Sequence, residues 1–366
     1  MDPTQQSYLI VGAGMFGAST ALHLRRSNPS ATVTLLDRTP FPCPSAAAHD
    51  LNKIIRADYD DIFYMKLALE AQELWRTDPI YKPYYHESGM LFAENIGMGQ
   101  GSIENYKTLR ADFDAEMLRP EDARTRFNGI FHDAEWTGVK GCFWNPRSGW
   151  GEAHLTMKNV IQTAIDEGVT YIEATVSIIS IDQSGICTGV RTEDGRELTA
   201  DHTILCTGAR TAKLLADSKP DKKELQMDGR MVAAAAVMCT AVIPPEKRGK
   251  FKHVPVVFNG LDHTHGSSPS VSRCKDVVTY ETGLSGESIP PTADGRLKFT
   301  YEVSFTNMVY HEKSKQTISV PPEPVSQSTW SHDVPQGLKD DVLRVMKHIY
   351  GSEVEGFEIE HYRMCW

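Results

Sequence analysis

Gly12, Gly14 and Gly17 stand in the spacing G-x-G-x-x-G, and Asp37 follows the last of them by 20 residues. Glycines so placed suit a chain that turns tightly and brings backbone N–H groups up to a pyrophosphate, with the positive end of a following helix toward the phosphates. The acid suits ribose hydroxyls, and its charge repels a 2′-phosphate. Lys53 and Arg56 stand three apart among the apolar Leu51, Ile54 and Ile55. Arg can hold a carboxylate through two parallel hydrogen bonds. Late in the chain Lys298 and Glu302 stand four apart, and Cys365 lies two residues past Arg363. A buried ammonium can stabilise negative charge that develops in a reaction, and a thiolate near positive charge is a nucleophile.

These residues need elements to hold them. Tyr8–Val11 is an apolar run that reads as a buried parallel strand. Ala18–Arg26 is helix-forming and stops at Ser27-Asn28-Pro29-Ser30, and Thr32–Leu36 is a second strand ending at Asp37. A strand before, a helix after and an acid at a strand end turn a weak glycine motif into a strong dinucleotide signal. Phe63–Thr77 and His154–Glu167 carry apolar residues at helical spacing, as does Gln336–Tyr350. In the first of these the spaced residues are Phe63, Leu67, Ala71, Leu74 and Trp75. Gly89–Glu94, Thr170–Glu173, Gly189–Thr192 and His202–Cys206 read as strands, and Glu193-Asp194-Gly195 as a hairpin turn between the last two. Arg230–Thr306 reads as strands with long loops, one of them the polar His263–Ser272, and Pro321–Asp333 as a surface connection.

The Gly turn leaves FAD and NAD both open. The strand His202–Cys206 runs into Thr207-Gly208-Ala209, which resembles the second FAD-binding stretch of flavoproteins with two dinucleotide folds, and the pair of features favours FAD. The 366 residues suit two interleaved domains. The net charge of −10 argues against a general nucleic-acid binder. No run of 18 apolar residues occurs, so no membrane span is expected. Seven scattered cysteines without a CxxC pair, and a polar start, fit an intracellular protein with neither a disulfide framework nor a metal site.

Ser45-Ala46-Ala47-Ala48-His49-Asp50-Leu51-Asn52-Lys53-Ile54-Ile55-Arg56-Ala57-Asp58-Tyr59 resembles the segment that passes over the flavin into the substrate pocket of monomeric sarcosine oxidases and fungal fructosyl-amino-acid oxidases (amadoriases), a group that also takes in saccharopine oxidase. His86-Glu87-Ser88-Gly89-Met90-Leu91, Gly149-Trp150 and the turn at Gly208 continue the likeness, which is looser from 230 to 330 and sharp again at Arg363-Met364-Cys365-Trp366. The resemblance implies a mixed α/β (α+β) fold of the D-amino-acid-oxidase kind. In it, a Rossmann-type FAD domain (1–85 and 145–225) is interleaved with an antiparallel-sheet substrate domain (86–144 and 226–350), and 351–366 return to the flavin. It implies FAD held by Gly12, Gly14, Met15, Phe16, Gly17, Asp37, Arg38, Ser45, His49, Lys53, Val176, Thr207 and Gly208, and carried covalently on Cys365, with Arg363 as a source of nearby charge. Lys298, in a hairpin at Asp294-Gly295-Arg296, and Lys53 would be catalytic, Lys298 by stabilising charge as O2 takes electrons. Arg56, Glu302 and Tyr59 would bind the substrate, with Arg56 on its carboxylate.

The implied activity is oxidation of a secondary, N-alkylated amino acid to an imine, with O2 reduced to H2O2. The expected partners are a small amino-acid-derived amine and O2, and the expected state is a monomer in the cytoplasm or a peroxisome. Three departures keep other readings open. Members of the family run on past Cys-Trp, through a last strand, a Gly-rich turn and a substrate-binding lysine, whereas this chain stops at Trp366. Val303-Ser304-Phe305-Thr306-Asn307 replaces an aromatic-Pro-Gly stretch, and His263–Ser272 looks inserted. A flavin-dependent enzyme that desaturates an amine in a biosynthetic pathway is one alternative. An inactive remnant or binding protein is another.

Overall fold

The computed structural model describes residues 6–260, 285–322 and 333–366. The loop His263–Ser272, Cys274 and most of the connection Pro321–Asp333 lie outside them. The chain opens with β1 (Ser7–Val11), α1 (Met15–Ser27), β2 (Thr32–Asp37), β3 (Lys53–Ile55) and α2 (Ile62–Thr77). Next come β4 (Tyr85–His86), β5 (Met90–Glu94), α3 (Met98–Leu109), β6 (Glu116–Leu118), α4 (Pro120–Thr125), β7 (Gly141–Asn145), β8 (Gly149–Gly151) and α5 (Ala153–Asp166). There follow β9 (Thr170–Glu173), β10 (Val176–Ile181), β11 (Cys187–Thr192), β12 (Glu197–Thr199), β13 (His202–Leu205) and α6 (Thr211–Ser218). The rest is β14 (Ala235–Val242), α7 (Arg248–Phe251), β15 (Val256–Gly260), β16 (Gly286–Ile289), β17 (Arg296–Phe305), β18 (Met308–His311), β19 (Gln316–Ser319), α8 (Gln336–Tyr350) and β20 (Glu358–Cys365).

A parallel sheet in the order β13-β1-β2-β9 forms the first layer. Its strands are apolar on both faces, as a covered parallel sheet requires. Ile10, Val33 and Leu35 pack with α1 and α5 through Ala21, Leu22, Met157, Val160 and Ile161. Leu9, Val11 and Leu36 pack on the other side with Val190 of β11. The turn Glu193-Asp194-Gly195 joins β11 to β12, not to His202–Leu205: β12 pairs antiparallel with β11, whereas β13 pairs parallel with β1. A three-residue strand holds too little of the alternating period to be read before its partner is known.

The second layer is an eight-stranded sheet in the order β20-β14-β17-β16-β15-β5-β7-β6, antiparallel except between β15 and β5. One face of β14, β17 and β20 carries Val237, Cys239, Leu297, Phe299, Tyr301, Tyr362 and Met364, and packs on Leu338, Val342, Val345 and Ile349 of α8. Alternation then places Lys298, Thr240, His361, Arg363 and Cys365 together on the opposite face. That face is also buried at Thr240, Lys298 and Arg363. Polar groups there must be paired with one another, or the fold would not tolerate them.

Between the layers, β3 pairs with β8 and lies across the polar face. Lys53–Ile55 is thus extended. α2 also departs from its pattern. It is held at its start by the Asp61 side chain, which accepts from the Phe63 N–H at 2.8 Å. Yet Phe63, Leu67 and Leu74 are exposed, and the helix buries only Met65 and Gln72. Its apolar stripe borders a groove and does not enter the core.

Candidate active site

Asp37, at the end of β2, accepts from the Ala13 N–H at 2.7 Å and, through its other oxygen, from the Arg38 N–H at 2.7 Å. It braces the turn between β1 and α1. The turn is tight beneath: a Cβ at Gly17 would lie 1.8 Å from the Gly12 carbonyl oxygen, and one at Gly12 would lie 2.3 Å from that of Cys206. It is open above, where a Cβ at Gly14 would meet nothing within 4 Å. Gly14 caps α1 without a side-chain hydrogen bond. First-turn N–H groups, including those of Met15 and Phe16, have no acceptor within the helix. The side chains of both are exposed. Cys206 N–H donates to the Val11 carbonyl at 2.7 Å, which brings Thr207 and Gly208 beside the turn. Ala174 N–H donates to the Asp37 carbonyl at 2.8 Å, and Val176 follows two residues on. These segments gather at the carboxyl ends of the parallel strands, where ligands of such sheets bind. The cradle fits a pyrophosphate: closed below, roomy above and lined with the first-turn N–H groups of α1.

The loop after the first β-α-β unit carries Ser45, His49 and Asp50. Arg363, from β20, grips it, donating to the carbonyls of Ala46 (2.7 Å) and His49. Ser45 Oγ lies 3.3 Å from the Cys43 sulfur. The His49 ring meets His154 edge-on, with centroids 4.6 Å apart. Burial, then His154 and Arg363, lower the pKa of His49. Asp50 is the centre of the site. Its Oδ2 lies 2.7 Å from Lys53 Nζ, 2.9 Å from Lys298 Nζ and 3.7 Å from Arg363 Nη1, and its Oδ1 accepts from the Leu51 N–H at 2.8 Å. Burial works to raise the Asp50 pKa, but Lys298, Lys53 and Arg363 together hold it well below the usual carboxylate range. Lys298 also donates to the Asn52 carbonyl at 3.0 Å. It is buried and bound to the loop. The cation whose charged end reaches Cys365 is Lys53, with Nζ 4.0 Å from the sulfur, while Arg363 is turned to the loop carbonyls.

Beyond Lys53 lies a groove of about 590 Å³ lined by Arg56, Tyr59, Trp75, Phe258 and Glu287. The Arg56 guanidinium stacks on Tyr59, 4.2 Å from the ring centre, and donates to the Asp58 carbonyl. Among the described residues no carboxylate lies within ion-pair distance of it. Asp58 itself is buried and accepts from Ser148 Oγ (2.5 Å), Asn145 Nδ2 (2.6 Å) and Tyr106 Oη (2.9 Å), which fixes the chain at Arg56 and Tyr59. Glu302 accepts from Ser285 Oγ at 3.3 Å. Burial and the Glu287 carboxylate push its pKa up to about 8. A second cleft of about 1530 Å³ opens beyond His49 and Asp50, between Trp150, His154 and Pro290. The smaller groove is the one that carries Arg56.

Asp50, Asp58, Glu287 and Phe258 were not among the residues expected to act. Only Asp50 left a trace in the sequence, three residues ahead of Lys53.

Set beside known proteins, residues 7–270 match the family model described as FAD dependent oxidoreductase. The chain is 27% identical over 270 residues to L-saccharopine oxidase of Schizosaccharomyces pombe, covering 69% of this chain and 60% of that protein. It is 28% identical over 259 residues to an amino acid oxidase of Aspergillus flavus, covering 58% of this chain and 54% of the other. The chain thus spans a little over half the length of these curated relatives. The solved fructosamine oxidase (Amadoriase II) of Aspergillus fumigatus superposes with a TM-score of 0.74 at 27% identity, covering 99% of this chain and 75% of that one.

Proposed function

The chain belongs to the FAD dependent oxidoreductase family, and on that premise we propose that it oxidises a secondary, N-alkylated amino acid at its C–N bond to an imine while O2 is reduced to H2O2. The observation that carries this reading is Arg56. It is a guanidinium stacked on Tyr59, in a groove, with no carboxylate partner among the described residues. A fork of donors so placed suits the substrate carboxylate. Lys53 stands between this groove and Asp50, and so marks the side on which the amine would lie.

The cradle at Gly14 and the ends of β1, β2 and β13 would hold the adenosine diphosphate part of FAD. Bound FAD would supply the two-electron redox chemistry between the amine and O2. The residues of the chain orient and charge the site. Arg56 and Tyr59 fix the carboxylate end of the substrate. Glu302, protonated at neutral pH by its raised pKa, can donate a hydrogen bond there. Lys298 supplies a buried positive charge where O2 gains electrons. Cys365, with the Lys53 ammonium 4.0 Å away, is the proposed point of covalent attachment.

FAD-loaded protein is expected to release one H2O2 per N-alkyl amino acid consumed. Turnover without peroxide would favour amine desaturation with another acceptor. On acid precipitation the yellow colour should stay with the pellet and move to the supernatant in Cys365→Ser; colour that is free in both contradicts the attachment.

A further inference from the structure

One carboxylate, Asp50, stands between three cations that arrive from three directions. Lys53 comes from β3, Lys298 from β17 and Arg363 from β20, and two of them share the same oxygen at 2.7 and 2.9 Å. We propose that Asp50 is a positioning residue for the reduction of O2: its carboxylate fixes the Lys298 ammonium on the buried face of the sheet, keeps it charged there, and locks it to Lys53 and so to the Cys365 end of the site. The proposal deepens the oxidase reading and rests on it.

The surroundings of Lys298 leave this task to Asp50. From the loop, the Asn52 carbonyl accepts a hydrogen bond at 3.0 Å but carries no full charge. Lys53 on β3 repels it, and Glu287 on β16 attracts it from further away. On β20 stand Arg363, a cation, and His361, whose pKa is lowered by burial so that its ring is neutral near pH 7. Thr240 of β14 faces His361 at 3.1 Å. Among the described residues, Asp50 is the anion in contact. Burial alone drives a lysine toward its neutral form, and here it lowers the Lys298 pKa despite Asp50. Without the carboxylate the amine would lose its proton at lower pH still, and an uncharged amine offers nothing to the negative charge that O2 acquires. The count matters as well. Three cations on one carboxylate leave the cluster net positive, so Asp50 can hold the array together without cancelling it.

The test compares wild type, Asp50→Asn, Asp50→Glu and Lys298→Met as FAD-loaded proteins. Reoxidation of the reduced protein by O2 is followed against pH, next to its anaerobic reduction by amine. The ε-carbon signal of Lys298, assigned by its loss in Lys298→Met, is titrated by NMR without substrate. Asp50→Asn keeps size and hydrogen bonding but removes charge. It should move the high-pH fall of reoxidation, and the Lys298 titration, down by at least about one pH unit, equivalent to about tenfold in rate at a fixed pH on the descending limb. Anaerobic reduction serves as the reference, and the downward move of the reoxidation limb should exceed any move of the reduction profile. Asp50→Glu should return the limb toward wild type, and Lys298→Met should abolish it. An Asp50→Asn protein with the wild-type limb and an unmoved Lys298 titration overturns the proposal. If reduced wild type is not reoxidised by O2, the oxidase reading fails, while the Lys298 titration still decides whether Asp50 holds the charge.

Discussion

Glu302 is buried behind the groove of Arg56, close enough to feel its charge. Arg56 favours the carboxylate form of Glu302, but burial and Glu287 outweigh that and raise its pKa to about 8 from the ordinary 4.5. Between those values the folded protein holds a proton that the unfolded chain has released. Stability must therefore fall as pH rises through that window. Glu302→Gln removes the effect. It should be more stable relative to wild type at pH 9 than at pH 5, by more than about 1 kcal/mol. Urea unfolding at the two pH values measures this, and an equal difference at both contradicts the raised pKa. Individual residues are partly legible in the sequence. Lys298 is picked out there through the family resemblance, but its partner Asp50, 248 residues away, is not. In a sequence a buried carboxylate looks like an exposed one, and long-range pairing leaves no local pattern. The spacing of Asp50 and Lys53 is the only hint.

At the scale of elements, the turn from β1 to α1 separates folding from binding in two neighbouring glycines. A Cβ at Gly17 would lie 1.8 Å from the Gly12 carbonyl oxygen, so Gly17→Ala should cost about 1–3 kcal/mol in thermal or chemical unfolding. Gly14 has an ordinary φ of −71° and open space around it. Gly14→Ala should stay within about 0.5 kcal/mol of wild type in unfolding and still weaken FAD binding, because the added methyl occupies the cradle. Equal FAD affinity in Gly14→Ala would remove the pyrophosphate from that position. The long periodic elements are readable from their residues alone. α8 runs over the residues its spacing marks, Gln336–Tyr350, and buries Leu338, Val342 and Ile349. β12 and β3, at three residues each, are not, because one and a half alternations cannot be told from coil. α2 shows a different limit. Periodicity reveals an apolar face but not whether that face meets a core or a groove.

Across the whole molecule, the two sheets do complementary work. The parallel sheet presents its carboxyl ends, with the cradle at Gly14 and the brace at Asp37. The eight-stranded sheet turns one face to α8 and the other, polar and buried, toward the loop at Asp50. β3 lies between, and its Lys53 touches both the Asp50 cluster and the groove of Arg56. Among the described residues no helix is long and apolar enough to cross a membrane. The proposed function rests on one central claim, that an amino-acid amine would be oriented by Arg56 and oxidised by bound FAD. Anaerobic titration of the FAD-loaded protein with N-alkyl amino acids, followed in the visible flavin bands, tests it most directly. Bleaching by such an amine is predicted, with the half-saturating concentration raised by at least about tenfold in Arg56→Ala, the loss of one charge-assisted contact, and little change in the limiting rate. Bands that no N-alkyl amino acid bleaches, or an Arg56→Ala protein that titrates like wild type, would contradict it.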